Sequence, residues 1–373
     1  MNKLTDAQST YLDCVRGISA VVVLVGHTLT ALPWDSVVGT RFAVQRYAVV
    51  VFFILSGFLI AQKTMERVAQ YSFTEYFVDR FARIFVAFVP ALIFVAMVDN
   101  LLISPFHALA PDPLTPSTFI ANLLMLHHTP FNRFFEWLPR FQPYGTGRPF
   151  WTIAVEWWLY MLFGIAFFAR RMRGGEKLLA AILIIPAFAV VLYFTAWESI
   201  ALVWFVGAGA GIAFTVASDK WRAIARPVAG MVGLLSLAAL AFRAGRLWPA
   251  ESFNALDLQL IIFTALVFLA GLAWVNDAPI ARALIASRRF WVWLAAISYS
   301  LYLTHHTVLG AYVYLVGVKG WWDFAAICVI SFVVAILFTW AFDRHHKKVA
   351  ARLKRWVATR SGAQVPPPMT ETV

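Results

Sequence analysis

The chain has 373 residues, of which 61% are hydrophobic and 13% are charged, and its mean hydropathy is +0.73. A soluble domain cannot bury so much apolar surface, so this composition excludes one and predicts a polytopic membrane protein. The net charge of +12 does not indicate a nucleic-acid partner, because the lysines and arginines lie between apolar stretches, where they determine topology.

Apolar stretches long enough to cross a membrane recur along the whole chain. They are predicted at 11–32, 42–62, 84–104, 150–169, 178–197, 199–217, 228–242, 257–276, 291–316 and 321–342. With a cytoplasmic N-terminus, the inner segments hold 22 lysines and arginines and the outer segments hold 8. Because positive residues are retained on the cytoplasmic side, we predict an all-α polytopic membrane protein of about ten transmembrane helices, with both termini cytoplasmic.

The first span carries two ionisable residues, Arg16 and His27. Eleven helical steps make about three full turns, so both side chains share one face, separated by roughly 16 Å. An ionisable side chain inside the hydrocarbon marks a functional path by default. The alternatives are that Arg16 snorkels to the headgroups and that His27 is a packing histidine.

Two arginines precede the third span. Arg80 and Arg83 lie one turn apart at the predicted inner membrane surface. Arginines in this arrangement can bind phosphates. An ordinary positive-inside cluster is the alternative, and on these residues alone it is the simpler one.

The segment 105–149 is a long outer loop. It holds eight of the seventeen prolines, which preclude one long helix, although TFIANLLML can form a short one. Loops of this length usually cap or line a site, so we predict a lid that admits a substrate, with Arg148 near its end on the substrate side. We assign 1–345 to the membrane domain. A basic amphipathic helix on the inner leaflet and a disordered end are predicted within 346–373.

The fourth span contains a carboxylate, Glu156, in FWTIAVEWWLYML. It lies about six residues into the span, roughly 9 Å below the outer edge, which is the predicted level of His27. A lone carboxylate there is costly unless it has a partner. A structural ion pair with Arg148 or Arg46 is the alternative to a role in the site.

The ninth span adds a polar stripe. Tyr299, Tyr302 and His306 follow an i, i+3, i+7 pattern, with His305 beside them at the level predicted for His27. Each tyrosine alone fits an aromatic belt, and no third ligand stands at a zinc-type spacing, so we predict no metal. A histidine near a carboxylate can remove a proton from a hydroxyl, and this convergence favours a catalytic site.

Together these segments resemble the acyltransferase-3 family of integral-membrane O-acyltransferases. The resemblance covers nearly the whole chain and rests on LDCVRGISAVVVLVGH, VVFFILSGFLI, DRFARI, FWTIAVEWWLY and ISYSLYLTHH, in that order. It implies transfer of an acyl group, commonly acetyl, from cytoplasmic acyl-CoA to a hydroxyl of a carbohydrate or similar acceptor.

The resemblance also implies roles for individual residues. His27 matches the family's essential histidine and Arg16 its paired arginine. Arg80 and Arg83 match the arginines on the CoA side, and Glu156 matches the acidic residue of the fourth-span motif. The late motif is matched by Tyr299, Tyr302 and His305. Two departures are visible. The late motif reads Thr304-His305-His306-Thr307, which leaves open which histidine has the role, and the closing motif reads Asp343-Arg344-His345 without its proline.

Our hypothesis is an O-acyltransferase of a bacterial-type inner membrane that uses acetyl-CoA or a related thioester and no metal. The CoA phosphates would lie near Arg80, Arg83 and Arg16. His27 would act as general base or would carry the acyl group transiently, and Glu156 would assist it. The acceptor would be bound by Tyr299, Tyr302, His305 and Arg148. The partners are acyl-CoA, the hydroxyl acceptor and membrane lipid, and the oligomeric state is left open. A transporter or flippase of a sugar or lipid-linked substrate is the rival interpretation.

Overall fold

The computed structural model describes residues 2–32, 44–106, 114–127, 141–196, 199–246, 258–276 and 278–361. Parts of the predicted outer loop, at 107–113 and 128–140, lie outside these ranges. So does the predicted disordered end, from residue 362 onward.

The described residues are almost entirely helical and contain no strand, which confirms the all-α class. In the first half of the chain the helices are α1 (Asp6–Leu29), α2 (Val44–Glu66), α3 (Phe73–Val98), α4 (Pro116–Leu123), α5 (Phe150–Phe168) and α6 (Gly175–Ala196). In the second half they are α7 (Ile200–Val216), α8 (Asp219–Arg246), α9 (Leu258–Trp274), α10 (Ala278–Ala286), α11 (Arg288–Leu315), α12 (Trp321–Ala341) and α13 (His346–Ser361).

Each of the ten predicted spans falls on one of the long helices. Within the described residues, six helices are long and apolar enough to cross a membrane, or seven if the bent pair around residues 262–286 counts as one span. α7 and α9, with 17 residues each, are the shortest of these ten helices. The membrane character is therefore supported, whereas the number of ten spans and the cytoplasmic termini remain predictions.

Local signals explain where α3 begins and how it ends. Ser72 and Glu75 form a capping box at its start, which satisfies backbone N–H groups that the first turn leaves free. At its other end α3 continues into a π-helical turn, Asp99–Ile103. Such turns are rare and frequently accompany functional sites.

Close packing of α2 against α7 depends on glycine. A Cβ atom on Gly57 would overlap the Trp204 carbonyl oxygen, and one on Gly207 would overlap the Ile54 carbonyl oxygen. Small residues let helix backbones approach closely inside a membrane, where no hydrophobic driving force brings helices together. Buried residues of both helices belong to the main hydrophobic core.

Two other contacts position the site. α1 packs along α11, where Gly17 lies against the Leu294 side chain. The predicted basic tail helix is observed as α13 and packs on the first half of α3, where Ala350 contacts Val78 and Ala82. One face of α13 is therefore occupied by protein, in addition to any contact it makes with lipid.

Candidate functional site

A pair of histidines lies where α1 and α11 meet. His27 Nδ1 is 2.9 Å from His305 Nε2, and the two rings are parallel to within 3°. His305 is buried, and His27 is partly buried. The partner of His27 in the structure is thus a second histidine, whereas the sequence predicted a carboxylate.

The backbone of α11 determines which nitrogen of each ring carries the proton. His305 Nδ1 lies 3.0 Å from the Leu301 carbonyl oxygen and 2.9 Å from that of Tyr302. A carbonyl oxygen can only accept, so His305 Nδ1 carries the proton and its Nε2 is an acceptor. In the neutral pair His27 Nδ1–H must then donate to His305, which leaves the lone pair of His27 Nε2 available as a base.

The neighbouring histidine has a different partner. His306 Nδ1 donates to the Thr146 carbonyl oxygen at 2.8 Å, and its ring lies edge-on to His27 with 5.4 Å between centroids. Arg148, which is exposed, lies close enough to His306 for their charges to interact. The structure therefore separates the two histidines of the late motif, since His305 bonds His27 and His306 bonds the outer segment.

Glu156 lies deeper in the membrane domain than predicted. Near the start of α5, the Thr152 hydroxyl is 2.7 Å from the Tyr302 hydroxyl, and Glu156, one turn after Thr152, lies close enough to Tyr299 for its charge to act there. The prediction assumed that the span begins at the membrane edge. Because residues 141–149 enter the bundle as far as His306, α5 starts lower and carries Glu156 down with it.

The contacts of Glu156 point toward the inner half of the site. Its carboxylate accepts a hydrogen bond from the Tyr160 hydroxyl, one turn further along α5. It also lies close enough to Arg16 and Arg83 for its charge to act on both. Glu156 is thus placed between the histidines and the arginines, and not beside His27.

Arg83 is held by a buried carboxylate. Its Nη1 lies 2.7 Å from Asp343 Oδ1, and Asp343 is only 2% exposed. The guanidinium also lies over the Tyr299 ring, 4.8 Å from its centroid. The charge of Arg83 is therefore already balanced by protein. Tyr299, two turns from His306, belongs to the part of the site that contains Arg16, Lys63, Arg80 and Arg83, which we call the arginine end.

Arg16, Arg80 and Lys63 form the remaining cationic group at this end. The charges of Arg16, Arg80, Arg67 and Arg83 all act on Lys63. Among the described residues neither Arg16 nor Arg80 makes an ion pair within 4 Å, and Arg80 Nε is buried without a hydrogen-bond partner. Asp13 and Glu156 offset part of the charge on Arg16. An orphaned, buried guanidinium nitrogen among cations fits an anionic ligand such as a phosphate.

Comparison with protein families decides what kind of protein carries this site. A family model described as "Acyltransferase domain" matches residues 9–340. The chain belongs to the acyltransferase-3 family. It is accordingly a membrane acyltransferase, as the sequence motifs indicated. No curated protein and no solved structure shows significant similarity to it.

The acyltransferase domain includes every residue that the sequence predicted for the site. Asp343, the partner of Arg83, follows its last matched residue by three positions. The sequence motifs gave no role to Lys63, because its cationic neighbours come from other helices. Asp99, which anchors the outer segment as described below, was detectable as a carboxylate inside a predicted apolar span, by the same criterion that identified Glu156.

Proposed function

We propose that this acyltransferase moves an acyl group, most simply acetyl, from cytoplasmic acyl-CoA to a hydroxyl of a carbohydrate or similar acceptor at a bacterial-type inner membrane. The proposal needs a base at the reacting hydroxyl, a site for the CoA phosphates, and a path between them. Metal and nucleic acid have no part in it.

The observation that carries the proposal is the hydrogen bond from His27 Nδ1–H to His305 Nε2. It supports His27 Nε2 as the proton acceptor. In the direct form of the reaction, the hydroxyl oxygen attacks the thioester carbonyl while His27 Nε2 takes the hydroxyl proton. The new C–O bond forms, the C–S bond breaks, and the proton passes to the departing CoA thiolate.

A covalent form of the reaction uses the same nitrogen. His27 Nε2 attacks the thioester carbonyl, the C–S bond breaks, and CoA leaves as the thiolate, which gives an acyl-imidazolium. The hydroxyl oxygen then attacks its carbonyl, the C–O bond forms as the C–N bond to Nε2 breaks, and the hydroxyl proton passes to the CoA thiolate. In this form His305 accepts the His27 Nδ1 hydrogen bond throughout and holds the ring in place. Both forms require the unprotonated Nε2, so both depend on the same pair of histidines.

The donor is proposed to bind at the arginine end. Arg16, Arg80 and Lys63 would hold its phosphates, with Arg80 Nε gaining the partner that it lacks. Arg16 and His27 lie on one face of α1, separated by roughly 16 Å of helix. The pantetheine arm would extend along that face and bring the thioester to His27. Tyr302, His305 and Arg148 lie on the acceptor side of this arrangement.

Labelled acetyl-CoA tests the proposal. Membranes that carry the wild-type protein should transfer the label to a membrane-borne acceptor, and purified protein should bind CoA saturably. His27→Ala should abolish transfer while the protein remains folded, and His345→Ala, in the turn before α13, serves as the matched control. Full turnover by His27→Ala refutes the assignment, and substrate flux without any dependence on CoA identifies a transporter instead.

A further inference from the structure

A buried carboxylate outside the predicted site, Asp99, lies at the π-helical end of α3. Its side chain is fully buried. Asp99 Oδ2 accepts the backbone N–H of Thr146 at 2.7 Å, and Oδ1 accepts the Thr146 hydroxyl at 2.8 Å. A charge at this depth is costly unless it is fully hydrogen-bonded, so the two bonds fix Thr146 firmly.

The chain around Thr146 is shaped to fit this carboxylate. Gly145 has a φ of +50°, and a Cβ on it would overlap Asp99 Oδ2. On the other side of Thr146, its hydroxyl lies 3.1 Å from the Thr307 hydroxyl, and its methyl group fills the space beside Gly310. The outer segment is therefore locked between α3 and α11 at this residue.

Thr146 in turn determines the protonation of His306. Its carbonyl oxygen can only accept, so the His306 Nδ1 that lies 2.8 Å away must donate. The Nε2 of a neutral His306 is consequently an acceptor. The ring lies edge-on to His27, with 5.4 Å between the two centroids, so both imidazoles face the same part of the site.

We propose that Asp99, acting through Thr146, holds His306 so that its Nε2 accepts a hydrogen bond from a second hydroxyl of the acceptor. His27 would take the proton of the hydroxyl that is acylated, and His306 would bind another hydroxyl of the same molecule. The inference rests on the proposed acyl transfer and deepens it, because it requires a polyhydroxylated acceptor. Asp99 is a positioning residue, and His306 is a binding residue.

The test separates binding of the acceptor from folding and from binding of the donor. Detergent-solubilised protein receives labelled acetyl-CoA and increasing amounts of membrane extract from cells that lack this protein. His306→Asn keeps an N–H for the Thr146 carbonyl but removes Nε2. We expect at least a ten-fold higher apparent KM for the extract, with CoA binding within two-fold of wild type.

Two variants of the positioning network complete the experiment. Asp99→Asn should raise the same apparent KM several-fold, since an amide can accept only one of the two Thr146 bonds in its original geometry. Thr146→Val removes the hydroxyl that donates to Asp99 Oδ1 and should raise the apparent KM as well. His345→Ala, which lies outside this network, serves as the control and should leave it unchanged.

Three results overturn the inference or its basis in distinguishable ways. An unchanged apparent KM for His306→Asn contradicts the binding role. Equal losses of CoA binding and acceptor transfer in His306→Asn and Asp99→Asn indicate a structural role only. If wild-type protein itself transfers no acetyl, or if His27→Ala keeps full turnover, the proposed function fails and the inference fails with it.

Discussion

His27 Nδ1 lies 2.9 Å from His305 Nε2. The proton between them belongs to His27, because neutral His305 carries its single ring proton on Nδ1 and donates it to backbone carbonyls of α11. A second imidazole can fix the tautomer of a base without adding a charge. In a membrane protein this matters, since a carboxylate beside His27 would add the cost of a buried ion. The resting pair of His27 and His305 is therefore neutral, whereas Arg16, Lys63, Arg80 and Arg83 gather at the arginine end.

Changing His305 should affect the rate more than the fold. His305→Ala removes the acceptor for His27 Nδ1–H, and we expect a loss of about 100-fold in kcat, at the lower end of general acid–base contributions. His305→Gln offers an amide oxygen in a similar place and should recover part of the rate. Acetyl transfer from labelled acetyl-CoA measures both. Equal activity in His305→Ala and wild type would remove His305 from the mechanism.

Arg80 should contribute to donor binding. Arg80→Ala should weaken CoA binding about ten-fold or more, because the guanidinium whose buried Nε lacks a protein partner is proposed to bind a CoA phosphate. Arg170→Ala is the matched control, since Arg170 lines a separate cavity of about 490 Å³ with Phe167 and Val68. Equilibrium binding of labelled CoA to purified protein gives both values. Equal affinities of wild type and Arg80→Ala for CoA would show that Arg80 does not bind the donor and is only part of the positive-inside cluster.

The Arg83–Asp343 pair should behave as a structural unit. Asp343→Ala leaves a partly buried guanidinium unpaired and should cost about 2–3 kcal/mol, toward the low side for broken buried pairs because Arg83 keeps 30% exposure. Removing both side chains should cost less than the sum of the single changes. Melting of detergent-solubilised protein measures this coupling. Additive effects would contradict the pairing.

The glycines of α7 provide an internal comparison for helix packing. Gly207→Ala would place a methyl group against the Ile54 carbonyl oxygen and should lower the melting temperature, at a cost of about 1–3 kcal/mol. Gly209, two residues further along, has nothing within 4 Å of an added Cβ, so Gly209→Ala should be neutral. Equal effects of the two changes would mean that α2 and α7 are not packed at Gly207.

Hydrophobicity and helical spacing were sufficient to predict the helices and the shared face of Arg16 and His27, because both follow from local geometry. Depth was harder to predict. Glu156 was placed by counting from an assumed membrane edge, and the count failed because residues 141–149 enter the bundle and α5 starts beside Tyr302.

The sequence also did not predict which side chains contact each other in the site. Nothing local in the chain indicates that His305 and not a carboxylate meets His27, or that Asp343 neutralises Arg83. These contacts join residues that are hundreds of positions apart. Family motifs pointed to candidate residues for the site, and only the packing of the helices showed which of them are in contact.

The most direct test of the central claim uses His27→Asn. The asparagine N–H can still donate to His305, so the variant keeps the local hydrogen bond and removes only the nitrogen that is proposed to act. Turnover is measured with labelled acetyl-CoA in membranes that contain equal amounts of folded wild-type and variant protein. We predict that transfer to the acceptor falls by at least about 100-fold, within the range for general acid–base catalysis, while CoA binding is retained. Transfer at the wild-type rate would contradict the account.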